Sequence, residues 1–597
     1  MAGYLFAHFT GEHKDGEQVY FSLSNDGLNW KDLNHGKPVL ITGIGEKGAR
    51  DPFLIKDEKN GKYYIIATDL RIEAGKGWGV AQYEGSRDLL VWESNDLVNW
   101  SDVWAVTVGI EGAGCVWAPE AVYDYEKEAF FVFWASMVKE DGDTEAKQRI
   151  YCAYTNDFKT FTETEKYIER ENHIIDTTIV YDNGKYYRFS KDETTKTVNL
   201  DACESLRGQF KQIKSDTIDN MYGVEGPECY LLPDGRTWCL IVDRFATGKG
   251  YLPIVTDDLE SGDLRVLDDM AYDMGVNKKR HGGVLKLNDE EYNRLKEAYG
   301  DSNPVIDGLY ADPDIAIFDD TYYIYPTTDG FTGWSGTQFY VFASKDGRKF
   351  ENKGLIVDLA TEQVPWSIGS AWAPCIATKN GKYYFYFCGK EKDGRSAIGV
   401  AVSDSPVGPF DVKATPIVTM DMMAEYGIKM GQTIDPSIYY EGDEVYLLFG
   451  NSHAAIAKLS DDMMDIDVST LKNIDGLFDF REAVTVFKKD DIYHFTWSCD
   501  DTRSENYHVN YGVSDKLYGP VQYKYTILEK DESRKILGTG HHSITKNEKT
   551  GEYVIAYHRF GTPVNKYIEG KGFNRETCLA KITFDKDGYV EKVVMED

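Results

Sequence analysis

Asn60-Gly-Lys-Tyr-Tyr64 is repeated as Asn183-Gly-Lys-Tyr-Tyr187 and again as Asn380-Gly-Lys-Tyr-Tyr384. Each copy places a turn dipeptide directly before an aromatic strand, and Asn-Gly readily takes the positive φ angles of a tight hairpin. Looser versions stand at Asp320-Thr-Tyr-Tyr323, Asp491-Ile-Tyr493 and Gly551-Glu-Tyr553. A second element recurs as Ser24-Asn-Asp-Gly-Leu-Asn-Trp30, Ser94-Asn-Asp-Leu-Val-Asn-Trp100, Thr155-Asn-Asp-Phe-Lys-Thr-Phe161 and Ser344-Lys-Asp-Gly-Arg-Lys-Phe350. It reads as the outer strands of a sheet, turning at an Asp and closing on an aromatic ring. Four-stranded units repeated with little helix between them indicate a β-propeller. A sandwich, which also repeats hairpins, is the competing reading.

A longer repeat contains these short ones. Asp51-Pro-Phe-Leu-Ile-Lys56 pairs with Asp312-Pro-Asp-Ile-Ala-Ile317, and Trp117-Ala-Pro-Glu-Ala-Val122 with Trp372-Ala-Pro-Cys-Ile-Ala377. Ile175-Asp-Thr-Thr-Ile179 pairs with Ile434-Asp-Pro-Ser-Ile438, and His281-Gly-Gly-Val284 with His541-His-Ser-Ile544. The second Asp follows the first by 125 residues in one half and 123 in the other; the His follows by 230 and 229. Agreement at four landmarks means duplication, so the expected fold is all-β, with two tandem propellers over residues 1–300 and 301–597. Between them, Asn288-Asp-Glu-Glu291 predicts a capping box opening a short helix that Gly300 closes. Asp301-Ser-Asn-Pro304 is the expected linker.

Composition narrows the function. The 597 residues carry 66 basic and 99 acidic side chains, a formal charge of −33. Such a surface disfavours nucleic acid and anionic membrane as partners and leaves neutral sugars indifferent. Aromatic residues reach 14%, including 41 Tyr and 12 Trp, which suits both strands and carbohydrate surfaces. The opening residues lack a basic segment and apolar core of the secretory kind, and no run of about 18 apolar residues offers a membrane span. Nine scattered Cys without close pairs fit neither a disulfide framework nor a zinc site. A cytoplasmic location is the expectation.

The chemistry lies in carboxylates. Glycosidic cleavage needs one group to protonate the leaving oxygen and another to activate water or attack carbon. Each half offers two Asp at matching strand starts, Asp51 and Asp176 or Asp312 and Asp435, followed by a Glu. Glu225 stands 49 residues after Asp176, and Glu482 stands 47 after Asp435. Innermost propeller strands begin near the central channel, so these acids converge at one mouth in each half. Asp before Pro as a mere turn residue is the bland alternative. Glu228 rivals Glu225 and Asp314 rivals Asp312; because position 53 is Phe, the first Asp of the second half is preferred.

Both halves resemble glycoside hydrolase family 43, on the Asp-Pro entries, the Trp-Ala-Pro segments and the Glu-Gly-Pro at 225–227. The resemblance implies five-bladed propellers and inverting hydrolysis of arabinan- or xylan-type bonds. It implies Asp51 and Asp312 as general bases, Asp176 and Asp435 as residues that raise the acid's pKa, and Glu225 and Glu482 as general acids. Glu482 lacks the Gly-Pro that follows Glu225, and its assignment rests on spacing and the strand after it. His281 and His541 match the family's central histidine, which faces a metal ion or water. Calcium with mostly water ligands is the candidate occupant, the chemistry itself requires no cofactor, and a satisfied hydrogen-bonding histidine is the alternative. His542 reads as structural. Trp117 and Trp372 are candidate sugar platforms or blade-start core residues. Arg575 resembles a last-blade arginine that touches substrate hydroxyls, with a surface ion pair as the alternative. The first half shows no such arginine, and residues 4–24 are expected to close its last blade.

The resulting expectation is an exo-acting α-L-arabinofuranosidase, with β-xylosidase activity as a companion, acting on neutral oligosaccharides with a working site in each half. β-Xylosidase or galactofuranosidase as the main activity, a half that only binds sugar, and a phosphorolytic enzyme with a basic phosphate pocket are the alternatives.

Overall fold

The structure is a computed structural model that describes residues 3–567 and 569–596. The chain forms two five-bladed β-propellers, one in each of two compact units that meet between Asp301 and Ser302. Every sheet is antiparallel and runs outward from an innermost strand at the channel. In the N-terminal unit these innermost strands are Ala49–Asp57, Trp117–Asp124, Ile174–Asp182, Glu225–Leu231 and Gly282–Leu287. In the C-terminal unit they are Tyr310–Phe318, Trp372–Lys379, Ser437–Glu441, Glu482–Lys489 and Gly540–Lys546.

The hairpin signals fold as their residue types dictate. Asn183-Gly184 and Asn380-Gly381 both hold positive φ at each residue, the geometry whose twist matches paired strands. At Asn60-Gly61 only the glycine does, because Asn60 is fixed through its backbone and side-chain N–H groups by the Asp57 carboxylate. The Ser-Asn-Asp elements end third strands: Ser94 Oγ accepts from Leu97 N–H, while Asp96 Oδ1 accepts from Val98 and Asn99. The cores lie between neighbouring blades; Ile66, Val91, Val132, Trp134 and Phe158 form one such layer.

The two rings are completed differently. In the N-terminal unit, Gly282–Leu287 pairs with Gly3–His8, so the beginning of the chain supplies the outer strands of the last blade. The C-terminal unit's last sheet has three strands, all from the end of the chain. Its exposed edge is covered by the linker: the Asn303 side chain bonds both N–H and C=O of Leu579, and Val305 N–H reaches Thr577 O. An uncovered edge would invite pairing with another chain. The helix Asp289–Tyr299 has the capping box at Asn288 and Glu291, and Gly300 closes it.

One local device places the functional side chains. Most innermost strands start with a register shift and a residue in the left-handed region: Asp51, Ala118, Asp176 and Gly226 in one unit, Asp312, Ala373, Ala483 and His541 in the other; Asp435, just ahead of Ser437–Glu441, is left-handed without a register shift. Such bulges re-aim a side chain at the cost of backbone strain, and Asp tolerates that conformation better than bulkier residues.

Candidate active sites

In the N-terminal unit, Asp51, Asp176 and Glu225 line one cavity of about 300 Å³, with Trp117 and His281 in its wall. Thr68 Oγ1 donates to Asp51 at 2.8 Å and accepts from Ala118 N–H, tying the first two bulges together. His281 Nδ1 stands 3.6 Å from Asp51 and 3.8 Å from Asp176, and its Nε2 stands 3.8 Å from Glu120. Burial opposes a charge on His281, but contact with Glu120 and the charges of Asp176 and Asp51 outweigh it and raise its pKa to about 10. Burial lifts Asp176 to about 6, with Glu225 and Asp51 adding to the rise.

Glu225 departs from expectation. Arg280 donates to its Oε1 at 2.7 Å and Lys191 to its Oε2 at 2.8 Å. Burial would raise its pKa, yet these two cations overcome burial and hold it down at about 2. Charge-assisted bonds to both oxygens favour the ionised form of this carboxyl. Its rival Glu228 is a structural acid, accepting from Val284 N–H at 2.8 Å and from the Thr178 hydroxyl. Sequence reasoning missed Lys191, Arg280, and Arg50, whose guanidinium lies 4.4 Å from the Phe9 ring and 5.0 Å from that of Trp78. Trp78 in turn meets Trp117 edge-on at 6.0 Å.

The C-terminal unit brings the same three positions together with a different charge pattern. Arg575 donates to Asp312 at 2.9 Å and through Nε to Asp329 at 2.8 Å. Its side chain is 3% exposed, so the surface-pair reading is wrong: Arg575 is a buried clamp on Asp312. Burial alone would raise Asp312, but Arg575 and the nearby His541 and His558 hold it well below the usual carboxylate range. His541 Nδ1 stands 3.3 Å from Asp312 and 3.9 Å from Asp435. Asp435 is pushed well above its ordinary value by burial, then by Glu482 and Asp312. Glu482 accepts from Tyr507 OH and Asn451 Nδ2, both at 2.8 Å; the nearest cation among the described residues, Arg481, is 3.7 Å away. Asp314 is half-buried and accepts from Ile376 N–H, a structural role. Trp372 is half-buried, with its indole N–H on Trp334 O. His542 is buried with Nε2 on Thr496. His558, Tyr507, Asn451 and Asp329 are the members that sequence reasoning missed.

The strand registers match the units residue by residue. Arg280 precedes His281 as Gly540 precedes His541. Lys191 pairs with Ile175, and at the corresponding place Gly450 bonds Ile434. Both cations on Glu225 are thus glycines in the other unit. The third strand of the last blade gives the converse: Cys578 pairs with Tyr557 as Tyr20 pairs with His8, so three residues ahead Arg575 corresponds to Glu17. Glu17 binds Arg50 at 2.7 Å.

His281 is hemmed by Asp51, Asp176 and Glu120, which raise its pKa against burial, and among the described residues no group of three or more His, Cys, Asp or Glu is placed to hold a metal ion.

A family model described as "Probable glycosyl hydrolase domain" matches residues 1–293, and one described as "Glycosyl hydrolases family 43" matches residues 302–590. An α-L-arabinofuranosidase of Bifidobacterium longum subsp. longum is 34% identical over 210 residues, 32% of this chain and 20% of that protein. The chain therefore spans about a fifth of that relative's length. A xylosidase/arabinosidase of Bacteroides ovatus is 29% identical over 337 residues, covering 48% of this chain and 95% of its own. A solved β-xylosidase/α-arabinofuranosidase from a compost microbial metagenome, in complex with xylotriose and in a calcium-free form, is 25% identical; it covers 48% of this chain and 96% of its own, with a TM-score of 0.40.

Proposed function

The C-terminal half of the chain belongs to glycoside hydrolase family 43 and the N-terminal half to a domain related to it, and on that footing we propose that the protein is an inverting exo-glycosidase. It releases terminal L-arabinofuranose, and D-xylose as a second product, from neutral plant-type oligosaccharides. The hydrolytic centre is the C-terminal one. The observation that carries this is the difference between the surroundings of its two reacting groups. Asp312 is held ionised by Arg575, while Glu482 takes its direct hydrogen bonds from the neutral Tyr507 and Asn451, with Arg481 3.7 Å away, and faces Asp435.

Asp312 takes a proton from water as that water attacks the anomeric carbon. Glu482 delivers a proton to the glycosidic oxygen as the bond to carbon breaks. Burial, then the neighbouring Glu482 and Asp312, push Asp435 well above its ordinary value, so a protonated carboxyl is favoured beside the acid. Environments that push two carboxyls apart in acidity define such acid and base roles. His541, close to both Asp312 and Asp435, positions them; Trp372 walls the sugar. No step requires a metal or organic cofactor.

The test is hydrolysis of 4-nitrophenyl α-L-arabinofuranoside and 4-nitrophenyl β-D-xylopyranoside, followed by proton NMR of the first-formed sugar. Release of the inverted anomer, abolished by Asp312→Ala, is expected. Release of the retained anomer, or activity on neither glycoside, refutes the proposal.

A further inference from the structure

We infer that the N-terminal cavity is a binding site for the end of a neutral sugar chain in which acid catalysis is switched off, with Lys191 and Arg280 as the positioning residues that keep Glu225 a carboxylate. Only the choice of sugar rests on the proposed function; the loss of acid catalysis rests on the geometry of this unit alone.

A general acid must carry a proton before it can give one. Each oxygen of Glu225 instead takes a charge-assisted bond from a separate cation, and such bonds favour the ionised form. Neither cation is free to swing away. Arg280 also bonds Asp243 and lies over the Phe9 ring at 5.5 Å. Lys191 also bonds Glu193 at 2.7 Å and lies over Phe245 at 4.6 Å. The low pKa of Glu225 agrees with this arrangement.

The comparison between the two units makes the device specific. At Gly540, where the other unit has Arg280, an added Cβ would meet the Tyr507 ring at 2.4 Å. Tyr507 is the donor that serves Glu482. At Gly450, in place of Lys191, an added Cβ would meet His453 O at 2.3 Å. At the Gly540 position the neutral donor of one unit and the cation of the other are therefore alternative ways to fill the same space, and at Gly450 the space is taken by the His453 carbonyl.

What remains in the N-terminal cavity is suited to holding a sugar. Trp78 is 48% exposed and forms a corner with Trp117. Arg50, Lys191 and Arg280 are each already matched by carboxylates, so a phosphate or carboxylate ligand finds no uncompensated charge. A neutral polyol, whose hydroxyls both donate and accept, bridges such pairs without breaking them.

The test uses the full chain with its C-terminal chemistry removed by Asp312→Ala and Glu482→Gln together. Release of pentose from xylotriose and from an arabinofuranosyl xylo-oligosaccharide is compared with the unaltered chain. Calorimetric titration of the double variant with the same oligosaccharides follows. Expected are a release rate below a hundredth of the original and a binding event that Trp117→Ala removes and Trp372→Ala leaves. If Trp117→Ala does not fold, Trp78→Ala replaces it. Release at a hundredth of the original rate or more overturns the inference, as does the lack of any binding event sensitive to Trp117 or Trp78. An unaltered chain inactive on both oligosaccharides would sink the proposed function instead, and the titration would still decide this inference.

Discussion

Replacing Arg575 by Met isolates the contribution of the clamp on Asp312. The change keeps an unbranched side chain but removes the one cation that serves two buried carboxylates, with Asp312 8% and Asp329 1% exposed at the side chain. Removing one partner of a buried ion pair costs about 3–5 kcal/mol, because the other charge is left uncompensated. Asp329 already has a raised pKa from burial, so it takes up a proton readily and relieves part of the strain. The lower bound of about 3 kcal/mol is therefore the better figure, which corresponds to a fall of roughly 6–12 °C in the melting of a unit this large. The pH dependence gives the sharper test. In the native protein the depressed Asp312 pKa adds stability that is present above its unfolded value near 3.9 and lost as pH falls through the folded value. Without Arg575 burial dominates, the folded pKa rises above the unfolded one, and the sign reverses: stability is lost as pH rises. The difference in melting temperature between native and Arg575→Met chains should thus widen from pH 4 to pH 7. The acid limb of kcat/KM should move upward by at least about one unit, equivalent to 1.4 kcal/mol. Scanning calorimetry across pH and a pH–rate profile provide the readings. An equal melting difference at both pH values together with an unmoved acid limb would refute the reasoning.

Asp435→Asn removes a buried carboxyl that Glu482 and Asp312 help push well above its ordinary value, so the titration it contributes should vanish from the pH–rate profile of kcat/KM; a profile with its alkaline limb in place argues that Asp435 does not set that limb. Asn303→Ala deletes two hydrogen bonds to Leu579 and uncovers a strand edge, costing about 2 kcal/mol at roughly 1 kcal/mol per bond. Hydrogen exchange should then show the Leu579 amide losing protection while activity at neutral pH is kept, and unchanged protection would show that the linker does not cover the edge.

The propeller was legible because its punctuation is chemical. Asn-Gly turns and Ser-Asn-Asp turns carry their geometry in residue type, and the left-handed position at the start of most innermost strands is one that Asp tolerates, so Asp51, Asp176, Asp312 and Asp435 recur there at fixed spacing. The partners of the acids were not legible in the same way. Lys191 and Arg280 lie on or beside strands where a charged residue ordinarily marks a solvent-facing position, and only the closed ring turns them inward. A signal was present nonetheless: aligning the halves on their bulges sets Lys191 against Gly450 and Arg280 against Gly540. A strand that carries a cation in one copy and glycine in the other is a place where the two copies differ in what they surround. His558, Tyr507 and Asn451 had no such signal, since each reaches its carboxylate from a position whose direction depends on blade closure. Arg575 was found by motif but read wrongly, because a sequence cannot distinguish a surface pair from one at 3% exposure.

The two units show how one backbone carries opposed electrostatics. Both keep a left-handed Asp, a second left-handed Asp beside a histidine, and a Glu at the head of the fourth inner strand. Around that constant frame the cations have moved. In the C-terminal unit the guanidinium of the last blade sits on the base. In the N-terminal unit that position is Glu17, the matching Arg50 comes from the first blade, and the cations gather on the Glu instead. Each arrangement is internally satisfied, since a buried charge persists only when paired. Single substitutions between them would strand a charge or clash: an Arg at Gly540 would collide with Tyr507, and a Gly at Arg280 would leave the cross-strand neighbours Asp243 and Glu225 without the cation that links them. The difference between the sites is therefore a coordinated exchange of what surrounds the Glu, two cations bonded directly to it in one unit and neutral donors in the other.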